Sequence, residues 1–328
     1  MRTYVRAPTT GCKSDVEFLR YATACVHMTW GCNALRLGGR SFAFVLYDCR
    51  IPRLEGRAVI ICAAGDIHGA INRLYDDVLT FEISLGVTFD WVLHVGDFGI
   101  WPDPERIDRG ARNHDGAGEF SEWLGAMRPA PRRTMFIKGN HEDFAWLESQ
   151  KRTEVLPGLF YLRNGCRMEL EGASDCGIRV GGIGGCYGPS DYSRRSKELQ
   201  GYARRHYTHD EVDRLGSSGT FDLLLTHDAP AGIRFSHHRH GPGYASETAG
   251  LDFLLQRAKP LVCFFGHHHA RVDAEVAGVR CVGLNKIGCP GNLIAVEIDS
   301  RRRAWSLLAE YGTLPQHLKR LESLAWRA

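Results

Sequence analysis

Short apolar runs alternate with helical patterns from residue 58 onwards. Residues 58–64 and 91–95 are apolar runs of the length expected for strands that are buried on both faces. Between these two runs, apolar residues recur at helical spacing from Ile71 to Leu79. Alternation of strand and helix along the chain predicts an α/β fold in which helices cover the faces of a sheet.

The rest of the chain is richer in strand patterns than in helical ones. Further strands are predicted at residues 134–137, 159–162, 167–170, 178–183, 221–226, 261–265, 272–276, 279–283 and 293–298. Further helices are predicted at residues 120–127 and 251–258, and a polar, aromatic stretch ends at about residue 209. The last three strands follow one another closely, so we expect them to close the domain as a meander.

The two ends of the chain differ from its middle. Residues 1–57 show no sustained apolar period, and only residues 41–47 indicate a short strand. We interpret residues 1–57 as an N-terminal extension of unknown role, with a regulatory or partner-binding arm as the functional alternative. Residues 58–300 form the predicted main domain, and residues 301–328 form a strand or helix tail with a helix at 315–326.

Composition excludes few classes of protein. The formal net charge is only +3, which lacks the strong basic excess of a typical nucleic-acid binder but leaves room for local basic patches. The 11 cysteines contain no CxxC pair, so we interpret most of them as buried thiols. No apolar run approaches the ~20 residues of a membrane span, and no signal peptide is recognisable. We therefore expect a cytoplasmic protein with no membrane contact.

Five short polar signatures follow predicted strands. They are Gly65-Asp66-Ile67-His68-Gly69, Gly96-Asp97, Gly139-Asn140-His141-Glu142, Thr226-His227-Asp228 and Gly266-His267-His268-His269. The ligand site of an open α/β sheet lies beyond the carboxyl ends of its strands, so we expect these signatures to meet at one edge. Each signature alone is typical of a turn, but five of them in this order predict a shared site.

The side chains in these signatures are metal ligands by type. Carboxylate oxygens, imidazole nitrogens and an amide oxygen suit divalent Mn, Fe, Zn or Ni. A carboxylate can bridge two such ions, and two ions roughly 3.5–4 Å apart can hold a hydroxide and clamp a phosphate group. The sequence therefore predicts a centre for two divalent metal ions of undetermined identity.

The order GDIHG, GD, GNHE, H and GHHH resembles the calcineurin-like metallophosphoesterases over roughly residues 58–300. The resemblance implies an α/β fold in which two mixed β-sheets pack as a sandwich flanked by helices, with the metal site at the carboxyl ends of the strands. By the same resemblance, one metal is held by Asp66, His68, Asp97 and His269, and the other by Asp97, Asn140, His227 and His267, with Asp97 as the bridge.

Further roles follow from the same resemblance. His141 is implied as the catalytic histidine, which donates a proton to the leaving oxygen or stabilises charge on the phosphate. Glu142 or Asp228 is implied as the carboxylate that orients a neighbouring imidazole. His268 receives no ligand role, because side chains alternate in direction along an extended segment.

Several segments also resemble RNA lariat debranching enzymes. They are GGIGGCYGPSDYSRR, RRHYTHDEVDRL, FDLLLTHDAP and GLNKIGCPGNLIAVEI. Those enzymes commonly carry Cys where this chain has Asp66, and Asp66 restores the ordinary two-metal ligand set. The GGIGG segment also follows GNHE closely, which leaves little room for a long lariat-recognition insert. The narrower resemblance thus implies the fold and the metal site.

Other polar segments offer possible substrate contacts. Residues 191–209 interleave tyrosines with basic residues, a mixture that suits single-stranded nucleic acid or a nucleotide but is also typical of a solvated face. We name Tyr187, Arg194 and Arg195 as candidate substrate contacts. His237, His238 and His240 lie in a Gly- and Pro-containing loop that could line the entrance to the site or simply be a polar loop.

Two hypotheses of function follow. The first is a metal-dependent phosphoesterase that hydrolyses a phosphodiester or phosphomonoester by attack of a hydroxide bridging the two metals. Similarity to debranching segments favours the diester, and manganese is among the candidate metals. The second hypothesis is a nucleic-acid-binding module whose metal site is structural or inactive, and it draws on the basic, aromatic stretch.

Overall fold

The computed structural model describes residues 58–170, 177–236, 241–299 and 303–312, and the backbone of two strands nearer the N-terminus. The chain divides into two compact units, Met1–Arg53 and Leu54–Ala328. In the first unit, β1 (Cys32–Leu37) pairs with β2 (Arg40–Val45) as an antiparallel hairpin. The strand predicted at residues 41–47 overlaps β2, and the role of this extension stays a prediction.

The second unit contains two mixed sheets. Its strands are β3 (Val59–Ala64), β4 (Trp91–His94), β5 (Thr134–Phe136), β6 (Glu154–Leu156), β7 (Leu159–Tyr161), β8 (Cys166–Leu170), β9 (Ile178–Ile183), β10 (Leu223–Thr226), β11 (Val262–Phe265), β12 (Val272–Val276), β13 (Val279–Gly283), β14 (Leu293–Asp299) and β15 (Ala304–Glu310). The seven-stranded sheet has the order β15-β14-β3-β4-β5-β7-β6, and the six-stranded sheet has the order β12-β13-β11-β10-β9-β8. Strands β3, β4, β5 and β7 run parallel, as do β9, β10, β11 and β13.

Helices cover the outer faces of both sheets. They are α1 (Ile71–Leu85), α2 (Glu119–Gly125), α3 (Phe144–Ser149), α4 (Pro189–Tyr192), α5 (His209–Ser217) and α6 (Leu251–Ala258). Alternate residues of β3 are buried in two different hydrophobic cores. Ile61 lies in the core between the sheets, whereas Cys62 packs beneath α1. Residues of α5 and α6 form a third core with the other face of the six-stranded sheet. The predicted sandwich of two mixed sheets flanked by helices is therefore confirmed.

The predicted closing meander is wrong. Strands β12 and β13 form an antiparallel hairpin, but β14 crosses to the other sheet and lies between β3 and β15. The physical reason is burial, because Leu293 lies in the core beneath the helices while Ile294 lies in the core between the sheets. A strand that is apolar on both faces belongs in the interior of a covered sheet rather than at its edge.

Several elements differ from the sequence expectations at the ends. Strand β15 continues the seven-stranded sheet beyond residue 300, within the segment predicted as a strand or helix tail. The helix predicted at 315–326 lies outside the described residues, as do His237, His238 and His240. All six described cysteines are free thiols; three are buried as predicted, Cys62, Cys263 and Cys281, and three are only partly buried, Cys166, Cys186 and Cys289. Across the described part of the chain, no helix is long and apolar enough to cross a membrane.

Candidate metal centre

The predicted ligands lie at the carboxyl ends of parallel strands in both sheets. In the seven-stranded sheet, Asp66 and His68 follow β3, Asp97 follows β4, and Asn140 follows β5. In the six-stranded sheet, His227 follows β10, and His267 and His269 follow β11. The two sheets therefore present their ligand-bearing ends to each other. Oxygen donors come mainly from one sheet and nitrogen donors mainly from the other.

Three of these residues form a first group of potential ligands. Asp66, His68 and His269 bring one ligand atom each within 4.8 Å of one another. The two imidazole Nε2 atoms of His68 and His269 are 3.0 Å apart. The Nε2 atom of His269 is also 3.2 Å from Oδ2 of Asp66. Asp66 has no exposed surface and His68 is almost fully buried, so their polar atoms face only this site.

A second group lies directly beside the first. Asp66, Asp97 and His227 likewise bring one ligand atom each within 4.8 Å of one another, so the two groups share Asp66. Oδ2 of Asp97 lies 3.7 Å from Nδ1 of His68 and 3.6 Å from Nε2 of His227, which places it between the groups. Asn140 joins through its Oδ1, which is 2.9 Å from Nε2 of His227.

His267 completes the set predicted from the sequence. Its ring centroid is 5.1 Å from that of His227, and its backbone N–H donates to both carboxylate oxygens of Asp66, at 3.2 and 3.1 Å. The structure thus brings all seven predicted ligands to one site, at the carboxyl ends of strands from both sheets rather than at one edge of a single sheet. Asp66 belongs to both groups, and Asp97 lies near His68 of the first group and His227 of the second.

Backbone geometry at the site is unusual. Asp97, His68, His267 and His269 all have positive φ angles, of 54°, 48°, 63° and 49°. Residues other than glycine adopt this conformation at a cost of order 1–3 kcal/mol each, and such residues cluster at functional sites. Four of the eight non-glycine residues with positive φ in the described part of the chain are thus predicted ligands.

Two glycines allow the carboxylates to lie against the backbone. A Cβ atom at Gly139 would collide with the carboxylate and backbone of Asp97, and a Cβ atom at Gly266 would collide with Oδ1 of Asp66. No other residue fits at either position, because its Cβ atom would collide with a carboxylate. The glycines of the GNHE and GHHH signatures therefore allow the two carboxylates to lie against the backbone.

The arrangement of hydrogen-bonding atoms fits a cation. Nδ1 of His227 is 2.8 Å from the carbonyl oxygen of Val95, which can only accept, so Nδ1 carries the proton. In the neutral ring Nε2 is then an electron-pair donor, and it faces Oδ1 of Asn140 and Oδ2 of Asp97. Nδ1 of His68 is buried without a hydrogen-bond partner. Electron pairs that converge in this way favour a bound cation.

Protonation states also fit metal ligands. Burial lowers the pKa of His68 to about 4, and burial lowers the pKa of His267 to about 4. Burial alone would raise the pKa of Asp66, but its contact with His269 and the nearby imidazoles hold that pKa below its usual range. At neutral pH these groups are neutral imidazoles and an ionised carboxylate, the forms that bind metals.

His141 lies beside this centre and is held by a carboxylate that the sequence did not reveal. Its Nδ1 is 3.0 and 2.8 Å from the two oxygens of Asp108. Burial lowers the pKa of His141, but the hydrogen bond with Asp108 outweighs this effect, and the pKa is raised. The backbone N–H of His141 donates to Oδ1 of Asp97 at 2.8 Å. His141 is therefore hydrogen-bonded both to Asp97 of the metal centre, through its backbone, and to Asp108, through its ring.

Of the two carboxylates expected to orient a neighbouring imidazole, Asp228 contacts one and Glu142 instead binds backbone N–H groups. Glu142 accepts hydrogen bonds from the backbone N–H groups of Phe98, Gly99, Ile100 and Gly139, at 2.9, 3.1, 2.6 and 3.4 Å. It thereby holds the loop after β4, and burial raises its pKa to about 8. Asp228 is 3.0 Å from Nε2 of His268, the histidine to which no ligand role was given. The carboxylate that contacts His141 is Asp108.

A cleft of about 510 Å³ opens beside the centre. Tyr187, a predicted substrate contact, lines it, whereas Arg194 and Arg195 do not. Arg194 is instead paired with Asp191 at 2.9 Å. The guanidinium that lines the cleft is that of Arg205, so the expectation for the two earlier arginines is corrected.

The basic, aromatic stretch is mainly structural. Tyr207 is fully buried and donates to the carbonyl oxygen of Ala249 at 3.0 Å, and Tyr192 packs against it. Tyr202 is 52% exposed and lines the cleft. Of the three tyrosines that suggested a nucleic-acid surface, only Tyr202 is therefore placed to meet a substrate.

Sequence reasoning missed Asp108 and His114. His114 stacks on His68 with ring centroids 3.9 Å apart. Both residues belong to the long loop between β4 and α2, which is rich in Asp, Pro and Gly. The composition of this loop is typical of a connection between elements, and its spacing does not distinguish Asp108 from Asp103 or Asp115.

Comparisons with known proteins agree with this geometry. The chain is 28% identical to a lariat debranching enzyme of Drosophila pseudoobscura pseudoobscura over 66% of this chain and 43% of that enzyme. It is 26% identical to a lariat debranching enzyme of Entamoeba histolytica over 74% of this chain and 73% of that enzyme. The chain thus spans less than half of the Drosophila enzyme.

A solved structure and a family model extend these comparisons. A phosphatase from Mycoplasma pneumoniae is 12% identical, with a TM-score of 0.42 over 80% of this chain and 96% of that chain, a likeness too weak to decide function. The model of the calcineurin-like phosphoesterase family matches residues 60–271, which include every predicted metal ligand. The chain therefore belongs to the calcineurin-like phosphoesterases, a family of metal-dependent hydrolases of phosphoester bonds.

Proposed function

We propose that this protein hydrolyses a phosphodiester bond at a centre of two divalent metal ions. The ligands in this proposal are Asp66, His68, Asp97, Asn140, His227, His267 and His269. The convergence of the carboxylates of Asp66 and Asp97 with imidazoles from both sheets, whose ligand atoms lie within 4.8 Å of one another in each group, carries the proposal. Similarity to lariat debranching enzymes supports a diester over a monoester.

Bound divalent ions lower the pKa of water towards neutrality and neutralise charge on the phosphate. The mixed oxygen and nitrogen donors suit Mn, Fe, Zn or Ni. Asp97 lies between the two groups of ligands, so its carboxylate is the proposed bridge. Asp66 touches the same two groups and holds the backbone of His267 in place.

His141 is the proposed general acid. It lines the cleft next to Asn140, and its Nδ1 is occupied by Asp108. Since the Asp108 carboxylate accepts the Nδ1 proton, Nε2 is the atom that can present a proton to the leaving oxygen. Asp108 is a positioning residue that fixes the tautomer and the orientation of the ring.

The test of this proposal is His141→Ala in protein reconstituted with Mn²⁺. We expect hydrolysis of an aryl phosphodiester to fall by roughly 10²–10⁴-fold, the usual share of general acid–base catalysis. Bound metal should stay at the wild-type level, because no ligand atom is removed. His209→Ala is the matched control, since His209 begins α5 and contacts Tyr192, through the carbonyl oxygen and the ring, rather than a predicted ligand.

Two results would reject the proposal. Wild-type protein that binds no divalent metal would exclude the metal centre. Equal activity in His141→Ala and His209→Ala would exclude His141 as the acid. A protein that binds metal, hydrolyses no aryl ester and binds nucleic acid in a salt-sensitive way would favour the alternative of a binding module.

A further inference from the structure

One cleft joins predicted metal ligands to a group of polar side chains. It is lined by Asn140, His141 and His267, and also by Tyr202, Arg205 and His206. A group that binds against Tyr202 and Arg205 is therefore a neighbour of a phosphate at the metal centre. These three residues, Tyr202, Arg205 and His206, are called the cleft wall below.

Arg205 and Tyr202 form a stacked pair. The guanidinium carbon of Arg205 lies 4.1 Å from the centroid of the Tyr202 ring. Tyr202 is 52% exposed, so a large part of the ring is open to a ligand. An aromatic ring with an associated guanidinium is a platform on which an unpaired nucleobase stacks, and the guanidinium also attracts phosphate.

A hydrogen-bonded chain orients the guanidinium. Nδ1 of His206 is 2.7 Å from Oδ2 of Asp191, and a carboxylate accepts, so Nδ1 carries the proton. Nε2 of His206 then accepts from Nε of Arg205 at 3.0 Å. This bond uses Nε, and among the described residues no partner is recorded for the two Nη groups of Arg205. The Nη groups are therefore available to a ligand.

The backbone around Arg205 is fixed to the metal-binding strand ends. Nζ of Lys138, which precedes Asn140 by two residues, donates to the carbonyl oxygen of Arg204 at 2.7 Å and to that of His206 at 3.4 Å. The carbonyl oxygen of Arg205 accepts from the backbone N–H of Cys186 at 3.0 Å. Because the cleft wall is held on both sides, Arg205 meets a ligand at a set distance from the metal centre.

We propose that Tyr202 and Arg205 recognise the nucleoside next to the scissile phosphodiester, with an unpaired base stacked on Tyr202 and Arg205 bound to the flanking phosphate or base edge. His206 acts as a positioning residue for Arg205. This inference rests on the proposed hydrolysis of phosphodiesters. It names an unpaired nucleotide unit as the substrate feature that the cleft wall selects.

The experiment compares two esters with the same leaving group. One is the p-nitrophenyl ester of thymidine monophosphate, and the other is methyl p-nitrophenyl phosphate, which lacks the nucleoside. We expect Tyr202→Leu and Arg205→Ala each to raise KM for the thymidine ester by roughly 5- to 100-fold, the range for base stacking on an aromatic side chain. Kinetic constants for the methyl ester should stay at wild-type values.

The neighbouring guanidinium provides a matched control. Arg204 is paired with Glu148 at 3.1 Å and does not line this cleft, so Arg204→Ala should leave both esters unaffected. For His206→Ala, a positioning role predicts a raised KM for the thymidine ester with unchanged kcat. A fall in kcat for both esters would instead indicate general damage to the site.

Each outcome decides the inference. An unchanged ratio of kcat/KM for the two esters in Tyr202→Leu and Arg205→Ala would overturn it. If the wild-type protein hydrolyses neither ester, the proposed function fails, and the cleft wall is then judged by binding of oligothymidylate to metal-loaded protein. A Kd that Arg205→Ala leaves unchanged would overturn the inference, whereas a Kd weakened by Arg205→Ala and not by Arg204→Ala would support it.

Discussion

The metal centre and the cleft wall border the same cleft but are built in different ways. At the centre, Asp66 and His227 have no exposed surface, and Asp97 has a positive φ. On the cleft wall, Tyr202 is half exposed and lies in a short 3₁₀ segment, Gly201–Arg205. The centre depends on buried, strained strand ends, whereas the wall depends on side-chain contacts along a surface segment.

This difference separates two kinds of function. Strained backbone persists only where the surroundings fix it, so residues at the centre have little freedom to change. Substitutions at the centre should therefore reduce activity towards every ester. Substitutions on the cleft wall should change only the relative kcat/KM for different esters, because the wall takes no part in the hydrolysis itself.

Asp97→Asn should have the largest effect. Asparagine keeps the shape of Asp97 but removes the charge that lies between the two groups of ligands. We expect loss of at least one bound metal ion and a fall in activity of roughly 10³-fold or more on both esters, since electrostatic stabilisation is the largest share of such catalysis. Metal content by mass spectrometry and initial rates with both esters check this.

The matched control is Asp76→Asn, an exposed aspartate of α1. It makes the same chemical change far from the ligands and should leave metal content and rate at wild-type values. Full metal content and full activity in Asp97→Asn would show that the metal centre is not the site of hydrolysis.

Asp108→Asn should have an intermediate effect. The substitution weakens the hydrogen bond to Nδ1 of His141 without touching a proposed ligand. Removing a carboxylate that orients a catalytic group typically costs about 10- to 100-fold. We expect kcat to fall by this factor on both esters while metal content is retained. A change in KM for the thymidine ester alone would instead indicate that Asp108 contributes to recognition of the nucleoside, as proposed for the cleft wall.

Asp210→Asn should have the smallest effect, and it should act on stability. Asp210 accepts hydrogen bonds from the backbone N–H and hydroxyl of Ser196 at 2.8 and 2.9 Å, and from the hydroxyl of Thr208 at 2.6 Å. Burial raises the pKa of Asp210, but these hydrogen bonds outweigh it and lower the pKa. A depressed carboxyl pKa stabilises the fold above the unfolded-state pKa, and this contribution is lost as pH falls through the folded pKa.

Asp210→Asn should therefore lower the free energy of unfolding at neutral pH, by less than about 1 kcal/mol because solvent screens this partly exposed carboxylate, and the difference should shrink below about pH 4. Urea unfolding at several pH values measures this. Asp213→Asn, an exposed aspartate on the same helix, is the control and should show little change at any pH. A destabilisation that is the same at low and neutral pH would contradict the assigned role of the Asp210 charge.

The metal centre was predictable because its signals are local. Each ligand follows a short apolar run, and strands that are parallel in one sheet end at one edge. The helical spacing from Ile71 likewise predicted α1. A helix that was missed, α5, also has a local signal, because Thr208 and Glu211 form a capping box at its start.

The cleft wall and the course of β14 were not predictable by the same means. Arg194, Arg195 and Arg205 lie in a segment of short turns with no regular period, so spacing cannot say which guanidinium enters the cleft. The partner of β14 depends on the packing of two sheets rather than on the strand itself. Asp108 contacts His141 because of the course of a long loop. That loop has no periodic pattern in the sequence from which its course could be predicted.

The most direct test of the central claim is the number of divalent ions bound by the wild-type chain. Protein stripped of metal and then reconstituted with Mn²⁺ should retain about two ions per chain after removal of excess metal, as expected for a two-metal hydrolase. Hydrolysis of an aryl phosphodiester should return with those ions. Protein that retains no divalent ion, or that hydrolyses the ester equally well without metal, would contradict the account.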